Sequence, residues 1–305
     1  MADSIPASNI PASNPVTASN LVTCSDLIKR NLRVDKLPHI WCPGCGNGIL
    51  MRAVAQAIEN KELDKTKVCI VSGIGCSSRA AGYMNFNTLH TTHGRALAFA
   101  TGIKLANPEL IVIVITGDGD ATAIGGNHFI HAARRNIGIT TIVFNNSIYG
   151  MTGGQYSPLT PTNDFATTAP YGNVDRPFDI IKLADAAGAT YVARITTYHV
   201  KEAVKLIERG LENKGFSLIE GISACPTYYG RKNKKGGAVE LMNWVKNNSV
   251  DVKKARAENM TAENLHGKLV IGEFKNTVES EYTDEYQKII DRFMEPEVTT
   301  DANRT

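Results

Sequence analysis

Apolar residues in this chain gather into short unbroken runs, each closed by a glycine-rich or polar turn. Val68–Ser72 runs into the turn Gly73–Arg79, and Leu110–Thr116 into the turn Gly117–Asp120. Thr140–Phe144 runs into the turn Asn145–Gly150, and Thr190–Ala193 and Ser217–Gly221 read as two further strands. Apolar runs this short, without polar alternation, fit strands buried on both faces. Between them, residues 46–59, 95–106, 125–135 and 201–213 read as helices. Strands that alternate with helices predict an α/β fold, a doubly wound, mostly parallel sheet with helices on both faces. Such sheets bind ligands beyond the carboxyl ends of their strands, and the three marked loops all leave from that edge. The pattern alone predicts one shared site.

The flanks differ from this core. Residues 1–24 are a low-complexity arm, with the pentad IPASN at 5–9 and again at 10–14. It holds too little apolar surface to offset its ordering entropy and is expected to be disordered or draped over a partner. Residues 25–230 carry the α/β pattern. Residues 231–305 open on the basic run Arg231–Lys235 and show weak apolar periodicity. They are expected to form an extension with one or two helices, including Tyr282–Phe293, docked on the core or on a partner subunit. The basic run reads as solvated surface.

Composition removes several classes of function. At 305 residues and 43% hydrophobic, the chain can fill one large α/β domain or two small ones. A net charge of +3 argues against a general nucleic-acid binder. The strongest apolar run, Leu110–Ile115, falls far short of the roughly 18–20 residues a spanning helix needs. Asp3 comes early and no apolar signal region follows, so no membrane insertion is expected and a reducing, cytoplasmic compartment is. Six cysteines are too dilute for a disulfide scaffold. Four of them lie in loops.

The turn Gly117-Asp118-Gly119-Asp120 puts a carboxylate between a strand end and a helix start. Its glycines let the backbone approach a diphosphate, free N–H groups face the phosphates, and Asp118 can take a divalent metal. Alone, the same four residues read more readily as an ordinary Asp-Gly turn. Asn145 and Asn146 follow 27 and 28 residues later, at the end of the next strand. An amide oxygen there, with the carbonyl of Ile148, suits part of an octahedral Mg²⁺ shell. The combination resembles the thiamine-diphosphate-binding motif of thiamine enzymes. That resemblance implies Asp118, Asn146 and the Ile148 carbonyl as the Mg²⁺ ligands; Asn146 is favoured, and spacing does not separate it from Asn145.

Trp41-Cys42-Pro43-Gly44-Cys45-Gly46 is a CxxC opened by proline and glycine. Cys76 sits in the loop after the first strand, and Cys225 follows the last one. Four thiolates converging beside a cofactor are what a [4Fe–4S] cluster requires. A redox dithiol at Cys42 and Cys45, or a Cys₄ zinc site, are the alternatives at this point. Cys69 lies within an apolar strand and reads as core. Cys24 has no matching motif.

Taken in order, WCPGCGNG, GIGCSSR, THGRALAFATG, TGDGDATAIGGNH, NNSIYGMTGGQ and ACPT resemble the β subunit of 2-oxoacid:ferredoxin oxidoreductases. The resemblance runs from about residue 25 to near Asp291. It implies thiamine diphosphate, Mg²⁺ and a [4Fe–4S] cluster, with Cys42, Cys45, Cys76 and Cys225 as cluster ligands. Cofactor contacts would come from Gly75, Cys76, Ser77, His93, Gly117, Asp118, Gly119, Asp120, Asn146, Ile148, Gly150, Met151 and Thr152, with His93 also near substrate. The implied reaction is CoA-dependent oxidative decarboxylation of a 2-oxoacid, with electrons leaving singly through the cluster to ferredoxin.

The YGMTGGQYSP form of the loop is similar to the 2-oxoglutarate-preferring branch. Competing readings are a pyruvate or branched-chain preference, a non-redox thiamine decarboxylase or synthase, and a zinc-stabilised interaction subunit. The loop Met151–Gln155 has no cation for a distal carboxylate, and the chain has no room for a second, pyrimidine-binding domain. An α subunit is expected to supply both, with most of the CoA site, in an αβ heterodimer or (αβ)₂. This polypeptide alone is expected to be inactive.

Overall fold

The apolar runs form the centre of an eight-stranded sheet in the computed structural model, which describes residues 24–261 and 263–294. Residues 1–23 of the low-complexity arm and 295–305 of the extension lie outside the described residues. The strands are β1 (Val68–Ser72), β2 (Asn87–His90), β3 (Ile111–Gly117), β4 (Ile139–Asn145), β5 (Tyr191–Thr196), β6 (Ser217–Ile222), β7 (Ser249–Asp251) and β8 (Leu269–Asn276). Their order is β2-β1-β3-β4-β6-β5-β8-β7, and every neighbouring pair is parallel except β5 with β8. The helices are α1 (Cys24–Asn31), α2 (Asn47–Asn60), α3 (Ala80–Tyr83), α4 (Ala96–Ala106), α5 (Gly126–Arg134), α6 (Ile180–Ala187), α7 (Val200–Glu212), α8 (Ala238–Asn248), α9 (Val252–Ala257) and α10 (Tyr282–Met294).

Side chains of a strand alternate between faces, so each run feeds two cores. Ile70, Ile113 and Ile142 pack with Leu50, Val54 and Ile58 of α2 and with Leu206 and Ile207 of α7. Val71, Val112, Val114 and Val143 pack on the other face, with Leu97 of α4, Phe129 of α5 and Ile181 of α6. Both faces are covered, which explains the lack of a regular apolar–polar alternation in the central strands. No helix among the described residues is long and apolar enough to cross a membrane.

The chain leaves β1 to place β2 on one side of it and then β3 on the other. This reversal opens a crevice between the loops that follow β1 and β3. Register holds the strand ends level: Ser72 lies beside Ile115, Gly117 beside Phe144, and Asn145 beside Ile222.

Two regions depart from the sequence pattern. Residues 87–90 form an outer strand that the apolar pattern does not announce, because an edge strand with one partner needs no apolar run. Beyond residue 231 the described residues hold three helices and also two strands, and β8 joins the main sheet against β5. That pairing links positions about eighty residues apart, such as Tyr191 with Asn276, and no local periodicity encodes it. α6 also went unread, although Asp179 caps its start by accepting from the Ile181 N–H, and Gly188 closes it at φ 98°.

Candidate active site

A cleft opens at the switch between β1 and β3. It is lined by Ile74, Gly75, Cys76 and Ser77 after β1, by Gly117–Asp120 after β3, and by Phe144, Asn146 and Ile148–Thr152 at the end of β4. His93, from the turn between β2 and α4, completes the wall. All thirteen residues read from the sequence as cofactor contacts stand around this one cleft, joined by Ile74, Phe144 and Tyr149.

Asp118 is 3% exposed, and burial pushes its carboxyl up to about 7. The hydroxyl of Ser157 donates to its Oδ2, and the backbone N–H groups of Asn146 and Gly119 oppose the shift without cancelling it. Among the described residues, no lysine, arginine or histidine pairs with it. A desolvated carboxylate with hydrogen bonds but no counter-charge fits a divalent cation. The neighbouring amides divide their roles. Asn145 donates from Nδ2 to Glu220 at 2.7 Å and accepts from the Ser147 N–H at 2.9 Å, so its side chain is tied to β6 and its own turn. Asn146 lines the cleft, and its Oδ1 accepts only a long bond of 3.3 Å from the Ile148 N–H. The geometry favours Asn146 over Asn145 as the second oxygen donor.

Asp120 lines the same cleft, yet its carboxylate is held from behind. Oδ1 accepts from the Gly94 N–H at 2.7 Å and pairs with Nδ1 of His93. Oδ2 accepts from Thr116 Oγ1 at 2.7 Å. The side chain therefore orients His93 and anchors its loop. The His93 ring meets Tyr149 edge-on at 5.9 Å between centroids, and the Tyr149 hydroxyl donates to the Gly119 carbonyl at 3.0 Å. Burial pushes that phenol up to about 12, so it stays a donor. A Cβ on Gly119 would stand 2.2 Å from Tyr149 Cζ, which gives the glycine a packing reason besides approach to phosphates.

The cysteines come from three directions. Cys42 and Cys45 lie in a turn before α2, closed by the Cys45 N–H donating to the Cys42 carbonyl at 3.0 Å. Trp41 brackets that turn to the next loop, because its Nε1 donates to the Cys76 carbonyl at 2.6 Å. Cys225 follows β6. A Cβ built on Gly150 would stand 3.3 Å from Cys76 Sγ, 3.9 Å from Cys225 Sγ and 3.9 Å from Asn146 Nδ2. One glycine thus lies between the cysteine nest and the Asn146 side chain of the cleft.

Burial pushes the thiols of Cys45 to about 11 and of Cys76 to about 12, and neighbouring nest cysteines raise both further. Such thiols need positive charge to ionise. Among the described residues no three His, Cys, Asp or Glu side chains draw together tightly enough to grip a single ion. Cys69 is buried in the core on the α4–α5 face, and Cys42, Cys45, Cys69, Cys76 and Cys225 are all free thiols.

Ser157 and Tyr149 were not read as site residues. Ser157 lies 39 residues beyond Asp118 in an irregular loop, and nothing in its local sequence signals the contact. Tyr149 is legible in retrospect, since it stands between Ile148 and Gly150.

Residues 73–221 match the family described as thiamine pyrophosphate enzyme, C-terminal TPP binding domain. The chain is 54% identical over 260 residues to the 2-oxoglutarate synthase subunit KorB of Methanothermobacter marburgensis, covering 85% of this chain and 90% of that one. Against the subunit of the same name from Methanocaldococcus jannaschii, identity is 52% over 261 residues, 86% of this chain and 96% of the relative. The chain belongs to the 2-oxoacid:ferredoxin oxidoreductase β-subunit family. A solved structure, 2-oxoglutarate:ferredoxin oxidoreductase from Magnetococcus marinus with 2-oxoglutarate, coenzyme A and succinyl-CoA bound, is similar at TM-score 0.78 and 33% identity. That similarity covers 87% of this chain and 90% of the other. In this β subunit the thiamine-domain match holds Cys76, Asp118 and Asn146 but leaves Cys42, Cys45 and Cys225 outside it. Three of the four nest cysteines are therefore additions to the general thiamine-binding domain.

Proposed function

We propose that this chain is the thiamine-diphosphate- and cluster-binding half of a CoA-dependent 2-oxoglutarate:ferredoxin oxidoreductase, forming succinyl-CoA and CO₂ together with an α subunit. The observation that carries this reading is the position of Gly150, where an added Cβ would stand 3.3 Å from Cys76 Sγ and 3.9 Å from both Cys225 Sγ and Asn146 Nδ2. A thiamine site and an iron–sulfur nest so close suit one-electron transfer between them, which a non-redox thiamine enzyme would not need.

In this reading Asp118, Asn146 and the Ile148 carbonyl hold Mg²⁺ against the diphosphate, and Cys42, Cys45, Cys76 and Cys225 hold the [4Fe–4S] cluster. Thiamine diphosphate, when bound, supplies the carbon nucleophile and electron sink for decarboxylation, and the cluster supplies the one-electron acceptor. The protein's own work is placement. Ser157 steadies the Asp118 carboxylate, Asp120 fixes the His93 ring at the cleft wall, and Tyr149 braces the turn at Gly119. The burial of Asp118 keeps water from competing for the metal.

The cleft lining includes no lysine or arginine, so the distal carboxylate of 2-oxoglutarate needs a cation from another chain. Exposed Ile74, Ile124 and Met151 stand by the cleft or in the loop that carries its carboxylates, as a face awaiting an α subunit would. Ferredoxin takes the electrons onward in this proposal.

The test is anaerobic co-purification of this chain with its α subunit, followed by iron and sulfide analysis and viologen reduction with 2-oxoglutarate, pyruvate and 2-oxobutyrate. Four irons and four sulfides per chain, with fastest reduction on 2-oxoglutarate in the presence of CoA, are expected. A clear pyruvate preference overturns the substrate. Zinc without sulfide, or decarboxylation without electron release, overturns the redox assignment.

A further inference from the structure

Four buried side-chain polar atoms among the described residues lack any hydrogen-bond partner: Asn47 Nδ2, Ser78 Oγ, His131 Nδ1 and Thr141 Oγ1. Two of these belong to residues standing two positions after a nest cysteine, Asn47 after Cys45 and Ser78 after Cys76. Leaving a buried donor unpaired forfeits its hydration with nothing in return, so two such groups beside one site call for an acceptor there.

Asn47 is the more tightly placed. It is 1% exposed and opens α2 directly behind the CxxC turn. Its backbone N–H bonds the Cys45 sulfur. Its Oδ1 accepts from Ser223 Oγ at 2.8 Å, and Ser223 lies two residues before Cys225. The amide thus bridges the loops of two nest cysteines, with its N–H₂ group shut away from water and still unpaired. Ser78 is fully buried in the helical turn that follows Cys76, and its carbonyl already accepts from Ser72 Oγ at 3.0 Å. Its hydroxyl is the group left over.

We infer that Asn47 Nδ2 and Ser78 Oγ donate hydrogen bonds to sulfur atoms of the cluster and thereby set its reduction potential. The inference rests on the proposed reading that the four cysteines carry a [4Fe–4S] cluster. Reduction adds negative charge to the sulfurs, so a donor aimed at them stabilises the reduced state more than the oxidised state. Removing it lowers the midpoint potential. The bridge to Ser223 gives Asn47 a fixed direction, as groups around a metal site need if they are to tune it.

The experiment is an EPR-monitored redox titration of the anaerobically purified αβ complex, wild type against Asn47→Leu, Ser78→Ala and the double variant. Iron and sulfide are assayed in each. Each single variant is expected to keep its iron and to shift the one-electron equilibrium severalfold toward the oxidised form. The double variant is expected to shift it about tenfold, which is about 59 mV more negative. Couplings from exchangeable protons on the reduced cluster, seen by ENDOR after transfer to D₂O, should diminish in both single variants. If Asn47→Leu loses the cluster, Ser223→Ala provides the second route. It removes the anchor and keeps the donor, and a smaller shift in the same direction is expected. Midpoints and proton couplings unchanged in fully loaded variants overturn the inference. Wild-type complex without iron and sulfide overturns the cluster reading itself, a different result.

Discussion

The carboxylate of Asp120 holds Nδ1 of His93 from behind the cleft wall. That bond fixes the ring's orientation and leaves the opposite nitrogen as its free polar atom. Asp120 is accordingly a positioning residue, and its effects should pass through His93. In the αβ complex, Asp120→Ala and His93→Ala are each expected to lower kcat, by roughly 10- to 100-fold. The double variant should be little worse than His93→Ala alone, because residues acting as one unit are not additive. Steady-state kinetics with each substrate saturating checks this, and multiplied losses would assign Asp120 an independent role.

Asp118 predicts a pH dependence of metal binding. Its carboxyl is raised in the folded protein from the ordinary carboxylate range to about 7. The metal-free fold therefore keeps the proton better than the unfolded chain does. This group's contribution to stability is full below the unfolded value and is lost as pH rises toward 7. A divalent cation competes with that proton. Chelator-stripped protein should gain several degrees in Tm from Mg²⁺ at pH 8 and almost nothing at pH 5. Thermal scans with and without Mg²⁺ at both pH values measure the difference. An Asp118→Asn variant should show no gain at either.

Gly119 faces the Tyr149 ring so closely that a Cβ there would stand 2.2 Å from Cζ. Gly119→Ala is expected to push the ring out, at a cost of about 1–3 kcal/mol for overpacking. Adding Tyr149→Ala should return part of that stability by making room. Denaturant midpoints of the single and double variants test the pair. A Gly119→Ala protein as stable as wild type would show that the turn relaxes freely.

Trp41 ties the CxxC turn to the Cys76 loop through its 2.6 Å bond to the Cys76 carbonyl, and its ring packs edge-on against Tyr83 at 5.4 Å. Trp41→Phe removes the bond and retains most of the packing. Loss of about 1 kcal/mol at this bracket is expected to speed cluster loss in air about fivefold. The decay of the visible iron–sulfur absorption, followed under oxygen, gives the rate directly.

Much of this architecture is legible in the chain because its causes are local. The unbroken runs at Val68–Ser72 and Ile111–Gly117 announce strands covered on both sides, and Gly117–Asp120 follows β3 as Asn145–Asn146 closes β4. In a parallel sheet those two facts already bring Asp118 and Asn146 to one edge. Ser157 illustrates the opposite case. It reaches Asp118 only because an irregular loop of some thirty residues folds back over the end of β4, with no periodicity to announce it. β8 is similar, since antiparallel pairing with β5 depends on chain returning from far along the sequence.

The sequence by itself determined five strands of the sheet, their functional edge, the carboxylate–amide pair and the four thiols, because strand patterning and motif spacing are properties of neighbouring residues. Tertiary structure decided which neighbours those groups have. Asn145 and Asn146 are adjacent and chemically identical, and only the position of Glu220 on β6 ties one away from the cleft. Asp118 and Asp120 are separated by one glycine, yet Thr116, Gly94 and His93 engage the second while the first lies buried with no lysine, arginine or histidine partner among the described residues. Which group is already satisfied depends on atoms brought together across the sheet, and distance along the chain carries no record of them.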